Sequence, residues 1–171
     1  LPDLKLAEQI IDWFQLKTMK TGFFWQKLPP IVSKAIHEII SDTNPKSVLD
    51  VWSGWGEVAL GVSEKFPDSV VSAVDPSPEA IELGELFDRD ERVTWLNTDP
   101  SEWELHPSGE FDIVVCQPPL GDFESLVSAV ASATRVSASG RVIVVCTPRF
   151  TQYQTKKSGI KLLADAGLNI E

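Results

Sequence analysis

The sequence predicts an α/β fold, a doubly wound and mainly parallel sheet of the Rossmann-like kind, preceded by N-terminal helices. Three observations carry that prediction. From residue 46 onward, short runs of β-branched residues alternate with stretches of helical periodicity. The strand runs are continuously apolar, as in strands covered on both faces. The stretch Val48-Leu49-Asp50-Val51-Trp52-Ser53-Gly54-Trp55-Gly56-Glu57-Val58-Ala59-Leu60 joins a strand to a helix through a glycine turn. In such a sheet, right-handed crossovers bring the strand-to-helix loops to one edge, where ligands bind.

The elements follow in order. Residues 3–20 set Leu4, Ala7, Ile11 and Phe14 on one helical face, and Thr21-Gly22 ends that helix. An aromatic loop, Phe23-Phe24-Trp25-Gln26-Lys27-Leu28-Pro29-Pro30, precedes a helix over about 30–41 with Ile31, Ala35, Ile36, Ile39 and Ile40 at core spacing. Asn44-Pro45 breaks the chain before a strand at 47–51. A helix at 57–66 closes at Pro67, and a strand at 70–74 ends on Asp75. Ser77 is the expected N-cap and Pro78 the first residue of a helix over about 78–88. A strand at 92–96 leads into an irregular stretch over 97–110, and a strand at 111–116 delivers Gln117-Pro118-Pro119. A helix at 122–137, a strand at 141–146, a helix at 155–166 and the start of a strand at 168–171 complete the pattern. The expected division is an N-terminal helical segment, 1–45, packed on an α/β domain, 46–171, whose last strands continue beyond the chain.

Fifteen basic against 25 acidic side chains give a net charge of −10, so long-range repulsion disfavours direct nucleic-acid binding. No apolar run is long enough to span a membrane. The chain begins at Leu1, as a processed or trimmed chain would, with no basic and apolar leader, and a cytoplasmic location is expected. Cys116 and Cys146 each sit inside apolar runs and read as small buried thiols, and His37 and His106 are too isolated to build a metal site with them.

Two glycines two residues apart let the backbone turn sharply and approach a ligand, with the helix N-terminus aimed at the same place. Gly54-Trp55-Gly56-Glu57-Val58-Ala59 fits G-x-G-x-x-G/A, and Asp75 lies 19 residues past Gly56, near the spacing at which a carboxylate takes a ribose hydroxyl pair. A dinucleotide site is one reading. Against it, the strand ends in an acid, Asp50, which suits a cation better than a pyrophosphate. Two residues, Trp52 and Ser53, intervene between the strand end at 51 and the glycines, and the fourth strand ends in Gln-Pro-Pro, which hydride transfer does not need.

Val-Leu-Asp-x-x-x-Gly-x-Gly, then Val74-Asp75-Pro76-Ser77-Pro78-Glu79-Ala80, then Asn97-Thr98-Asp99, then Phe111-Asp112-Ile113-Val114-Val115-Cys116-Gln117-Pro118-Pro119-Leu120 resemble class I S-adenosylmethionine-dependent methyltransferases. More narrowly they resemble the N6-adenine DNA methylases of type I restriction–modification M subunits, over roughly residues 20–171. The tail, Gly140-Arg141-Val142-Ile143-Val144-Val145 leading to Pro148-Arg149-Phe150, is similar too. The resemblance implies S-adenosylmethionine as cofactor, with Asp50, Trp52, Gly54 and Gly56 at its methionine part, Asp75 at the ribose hydroxyls and Asp99 at the adenine amino group. It implies Gln117, Pro118, Pro119 and Leu120 as the catalytic segment, DNA reached through another domain or subunit, a possible protein partner or homo-oligomer, and no membrane.

Methylating an exocyclic amine needs orientation and acceptors for its N–H groups rather than a strong base. The family has Asn where this chain has Gln117, an aromatic residue where it has Leu120, and a small residue where it has Trp52. No Thr-Pro pair follows Phe24. Leu120 cannot stack on a flipped base, which forfeits about 1–3 kcal/mol. Three readings therefore stand: an adenine-directed DNA methyltransferase, a methylase-like scaffold or binding module without catalysis, and a methyltransferase of rRNA or of a protein glutamine.

Overall fold

The computed structural model describes residues 30–100, 110–117, 131–138 and 142–144, with the side chains of 30–33 and 144 left aside. Helix α1 spans Pro30–Thr43, strand β1 Ser47–Val51, helix α2 Glu57–Lys65, strand β2 Val70–Asp75 and helix α3 Pro78–Phe87. Strands β3, Val93–Asn97, β4, Ile113–Cys116, and β5, Val142–Val144, follow, with helical residues 131–136 between the last two. All strand pairs are parallel, and the five strands lie in the order β3-β2-β1-β4-β5. The expected α/β fold is the one observed. The chain builds outward from β1 on one side, then returns to pair β4 on the other, so the topological switch point falls between β1 and β4.

The strands are apolar on both faces because both faces are covered. One cluster joins Ile36 and Ile40 of α1 and Val58, Ala59 and Val62 of α2 to Val48, Val71, Ala73 and Val115. The opposite cluster holds Leu49, Val51, Val74, Val114 and Cys116 with Phe111, Ala133 and Val136. Each fully buried aliphatic side chain contributes about 1.5–3 kcal/mol. Residues alternate between the faces, so Asp50, Asp75 and Gln117 continue the rows Val48, Ala73 and Val115 toward one edge of the sheet.

Several sequence expectations shift. Of the apolar residues assigned to the first described helix, Ile36 and Ile40 are buried, whereas Ala35 and Ile39 face outward, because one turn of helix meets the sheet along a single i, i+4 row. The fourth strand begins at Ile113 rather than at 111. Asp112 leaves the ladder because its carboxylate accepts the Lys46 and Ser47 amides at 2.7 and 3.2 Å, and Phe111 makes only an isolated bridge to Ser137. Ser77 is the N-cap of α3, but its hydroxyl bonds Glu79 Oε2 at 2.7 Å instead of a backbone amide. The expected helices at 3–20 and 155–166, the aromatic loop before Pro30, most of the stretch after Pro100 and the final strand lie outside the described residues.

Candidate cofactor and methyl-transfer site

Between β1 and α2 the backbone enters the left-handed region three times in five residues, at Trp52 (φ 52°), Gly54 (φ 58°) and Gly56 (φ 79°). Ser53 N donates to Val74 O at 3.0 Å, which draws the turn across the end of β2, and Gly56 N donates to Ser53 O at 2.9 Å. Glycine adopts this conformation without penalty, but a tryptophan at φ 52° costs about 1–2 kcal/mol. The half-buried Trp52 side chain packs against the cluster of Leu49, Val51 and Val74, which offsets that strain.

The second glycine answers to packing. A Cβ on Gly56 would lie 2.3 Å from the Trp95 ring, and one on Gly84 of α3 would also lie 2.3 Å from it. The Trp95 indole is thus wedged between the turn and α3, and its Nε1 donates to Asp88 Oδ2 at 3.1 Å. Trp55 packs edge-on against Phe87, ring centroids 5.6 Å apart. Besides its place in the turn, Gly56 answers to packing, because its missing Cβ makes room for Trp95. Sequence reasoning missed Trp95, although a glycine inside a helix, Gly84, was a signal of close packing.

Around this turn the sheet edge collects acids and amides. Asp75, 4% exposed, accepts Gly54 N on Oδ2 and Ser77 N on Oδ1, both at 2.9 Å. Burial pushes its carboxyl up to about 6, against the pull of those two backbone bonds. Asn97 Nδ2 donates to the Asp75 carbonyl at 3.1 Å and ties β3 to the same edge. Asp50 is fully buried; Oδ2 accepts Ala59 N at 3.2 Å, and Oδ1 accepts Gln117 Nε2 at 2.6 Å. Burial raises it to about 7, the Gln117 and Ala59 bonds oppose that rise, and the charges of Asp75 and Glu57 add to it. The Ala59 amide belongs to the first turn of α2, so Asp50 also caps that helix from the strand beneath it.

The structure therefore brings Asp50, Gly54, Gly56, Asp75 and Gln117 together and sets Trp52 in the turn beside them. Asp99 sits exposed beyond β3, outside the buried carboxylate row. Pro118, Pro119 and Leu120 lie outside the described residues. The bond from Gln117 to Asp50 spans the switch point, and it was invisible in a motif reading that placed the two residues in separate roles. Gln117 N also donates to Val51 O at 2.9 Å, anchoring its backbone there. Among the described residues, no group of three or more His, Cys, Asp or Glu is placed to hold a metal ion, and no helix is long and apolar enough to cross a membrane.

Comparison with known proteins agrees with this geometry. Residues 48–140 match the family model described as a methyltransferase domain. The release factor glutamine methyltransferase of Rhodopirellula baltica is 32% identical over 96 residues, covering 52% of this chain and 32% of that protein. The chain thus spans about a third of that relative's length. By its name the relative acts on a glutamine, so the adenine branch suggested by the Gln-Pro-Pro motif is not the one this similarity carries. In fold, a proposed O-methyltransferase of Nostoc punctiforme superposes with a TM-score of 0.66 at 16% identity, over 81% of this chain and 50% of that one. The plantazolicin methyltransferase BpumL, solved with a pentazolic desmethylPZN analog and SAH, superposes with a TM-score of 0.57 at 17% identity, over 80% of this chain and 58% of that one. With the family model matching more than half of its length and the sheet order in place, the chain belongs to the methyltransferase-domain family, among the class I S-adenosylmethionine-dependent methyltransferases.

Proposed function

We propose that this domain binds S-adenosylmethionine at the edge of β1 and β2 and directs methyl transfer to an –NH2 nitrogen, with a protein glutamine amide as the favoured acceptor. One observation carries the reading: Gln117, the first residue past β4, stands at the switch point with its amide held against Asp50, next to the Asp75 turn. Bound there, S-adenosylmethionine supplies an electrophilic methyl group. The lone pair of an amide nitrogen is delocalised, so what the protein contributes is a fixed acceptor for the N–H group and alignment of the nitrogen. Gln117, followed by Pro118-Pro119, is that acceptor.

The residues fit the adenosine half of the cofactor. Each Asp75 oxygen accepts one backbone bond and keeps a lone pair for a ribose hydroxyl. They fit the methionine half less directly, since both Asp50 oxygens already face donors of the chain. Asp50 then serves through α2 and Gln117 rather than by touching the cofactor. An adenine-N6 acceptor, delivered by DNA on another domain or subunit, stands second, because Leu120 offers no ring for stacking and the chain carries a net charge of −10. The scaffold reading is favoured by Trp52 at its left-handed position beside the turn.

Calorimetric titration with S-adenosylmethionine and its demethylated product decides between enzyme and scaffold. Binding is expected, and it should tighten as pH rises through about 6, where Asp75 ionises and accepts the hydroxyls better. No heat at millimolar cofactor would sink the reading. Radiolabelled methyl transfer to glutamine peptides against duplex DNA then separates the two acceptors.

A further inference from the structure

We propose that Asp50 is a positioning residue that decides which end of the Gln117 amide faces outward: ionised, it holds Nε2 and leaves Oε1 as the acceptor for an incoming N–H; protonated, it takes Oε1 and turns the amide to present a donor. The value of this for catalysis rests on the methyl-transfer reading above, whereas the pairing itself does not.

The argument is geometric. The carboxyl lies fully buried, and its two oxygens are unequal. Oδ2 accepts the Ala59 amide hydrogen, so a proton arriving from solvent settles on Oδ1, the oxygen 2.6 Å from Gln117 Nε2. A carboxylate only accepts, so it requires the amide nitrogen; a carboxylic O–H facing an –NH2 sets two donors together. Half a turn of the terminal amide restores the bond with Oε1 accepting. Nitrogen and oxygen are nearly the same size, so the turn leaves the surrounding packing unchanged. The backbone cannot follow, because Gln117 N is bonded to Val51 O. The extra methylene of glutamine over asparagine gives this side chain the reach to fold back on the strand beside it.

The charged groups that face Asp50 are Asp75 from β2 and Glu57 from α2, both of which disfavour its ionisation; from the end of β4 it meets the neutral Gln117. Together with burial they bring its titration to about 7, where both forms are populated. A glutamine at the switch point is then a proton-controlled acceptor.

The test uses the folded chain without ligand. Carboxyl carbon shifts of Asp50 and side-chain –NH2 shifts of Gln117 are followed by NMR across the neutral range. Both are expected to move with one midpoint. In Asp50→Asn, the remaining side-chain oxygen takes the Ala59 amide and the –NH2 group faces Gln117, so the Gln117 signals should be frozen near their acid-end values. Gln117→Leu removes a charge-assisted bond from the ionised form and a weaker neutral one from the protonated form, so the Asp50 midpoint should rise. Gln117 signals that stay still while Asp50 titrates, or that titrate unchanged in Asp50→Asn, would overturn the proposal. Should Asp50→Asn not fold, an Asp50 midpoint unmoved by Gln117→Leu overturns it equally. Loss of cofactor binding with the coupled titration intact would count against the methyltransferase reading alone. If both hold, kcat should rise through the shared midpoint while KM for the cofactor tracks Asp75 instead.

Discussion

The ends of β1 and β2 carry the same residue type at the same edge of the sheet and use it differently. Asp75 accepts two backbone amides from the loops around it and keeps lone pairs on the loop side. Asp50, one strand over and deeper, accepts from a helix amide and from Gln117, with no exposed surface. The first arrangement leaves acceptors for the ligand proposed above; the second ties the strand end to α2 and to Gln117. Depth and partners separate them, and the difference sets the size of the proton effects.

The largest expected effect concerns protons. Both carboxyls sit above the unfolded value of about 3.9, at about 6 for Asp75 and about 7 for Asp50. Between roughly pH 4 and 7 the folded chain therefore holds more protons than the unfolded one, and stability falls as pH rises through that window, then levels off. The loss should be on the order of 7 kcal/mol by denaturant unfolding on either side of the window. Asp50→Asn should flatten the slope above about 6, leaving the Asp75 part. A flat profile in the parent chain would mean that neither carboxyl is as desolvated as the geometry places it.

The turn above the two acids offers the next break. Gly56→Ala adds a Cβ against the Trp95 ring in a left-handed conformation and should cost about 2–4 kcal/mol in urea unfolding. Gly84→Ala makes the same collision from a helix, without the backbone strain, and should cost less. With Trp95→Leu in place, Gly84→Ala should become nearly neutral, a coupling that a double-mutant cycle reads directly.

Trp52 gives a smaller and more pointed comparison. Alanine keeps the left-handed strain and loses the indole packing; glycine loses the packing and the strain together. Trp52→Gly should therefore be more stable than Trp52→Ala by about 1 kcal/mol, the reverse of their usual order. If Trp52 also narrows the methionine half of the site, Trp52→Gly should bind S-adenosylmethionine more tightly than the parent chain in the same calorimetric titration.

How far the sequence reaches follows from the same contrast. The strands were legible because burial on both faces demands unbroken β-branched runs, and Asp50, Asp75 and Gln117 were legible because strand ends deliver them to one edge. Their partners were not. That Asp50 meets Gln117 depends on β4 pairing β1 across the switch point, a relation 67 residues long that no local spacing encodes. That Gly56 makes room for Trp95 follows from a contact between three separate elements. The motif also pointed toward adenine through Gln117-Pro118-Pro119, while the relative is by its name a glutamine methyltransferase; a motif that fixes an amide at the sheet edge does not say which –NH2 group it faces.

The smallest effect tests whether Asp75 does the capping work that Ser77 was expected to do. An N-cap serine replaced by alanine ordinarily costs about 1 kcal/mol, because its oxygen satisfies an amide of the first helical turn. Here the Ser77 hydroxyl bonds Glu79, an exposed side chain, while Asp75 Oδ1 holds the Ser77 amide and fixes the entry into α3. Ser77→Ala should accordingly change stability by less than about 0.5 kcal/mol, within the range of ordinary surface substitutions. Asp75→Ala should cost more than that at about pH 5, where the folded carboxyl is protonated and no buried charge is relieved, since the Gly54 and Ser77 amides lose their acceptors. A Ser77→Ala loss of a full kilocalorie would return the cap to the serine and leave Asp75 with the ligand alone.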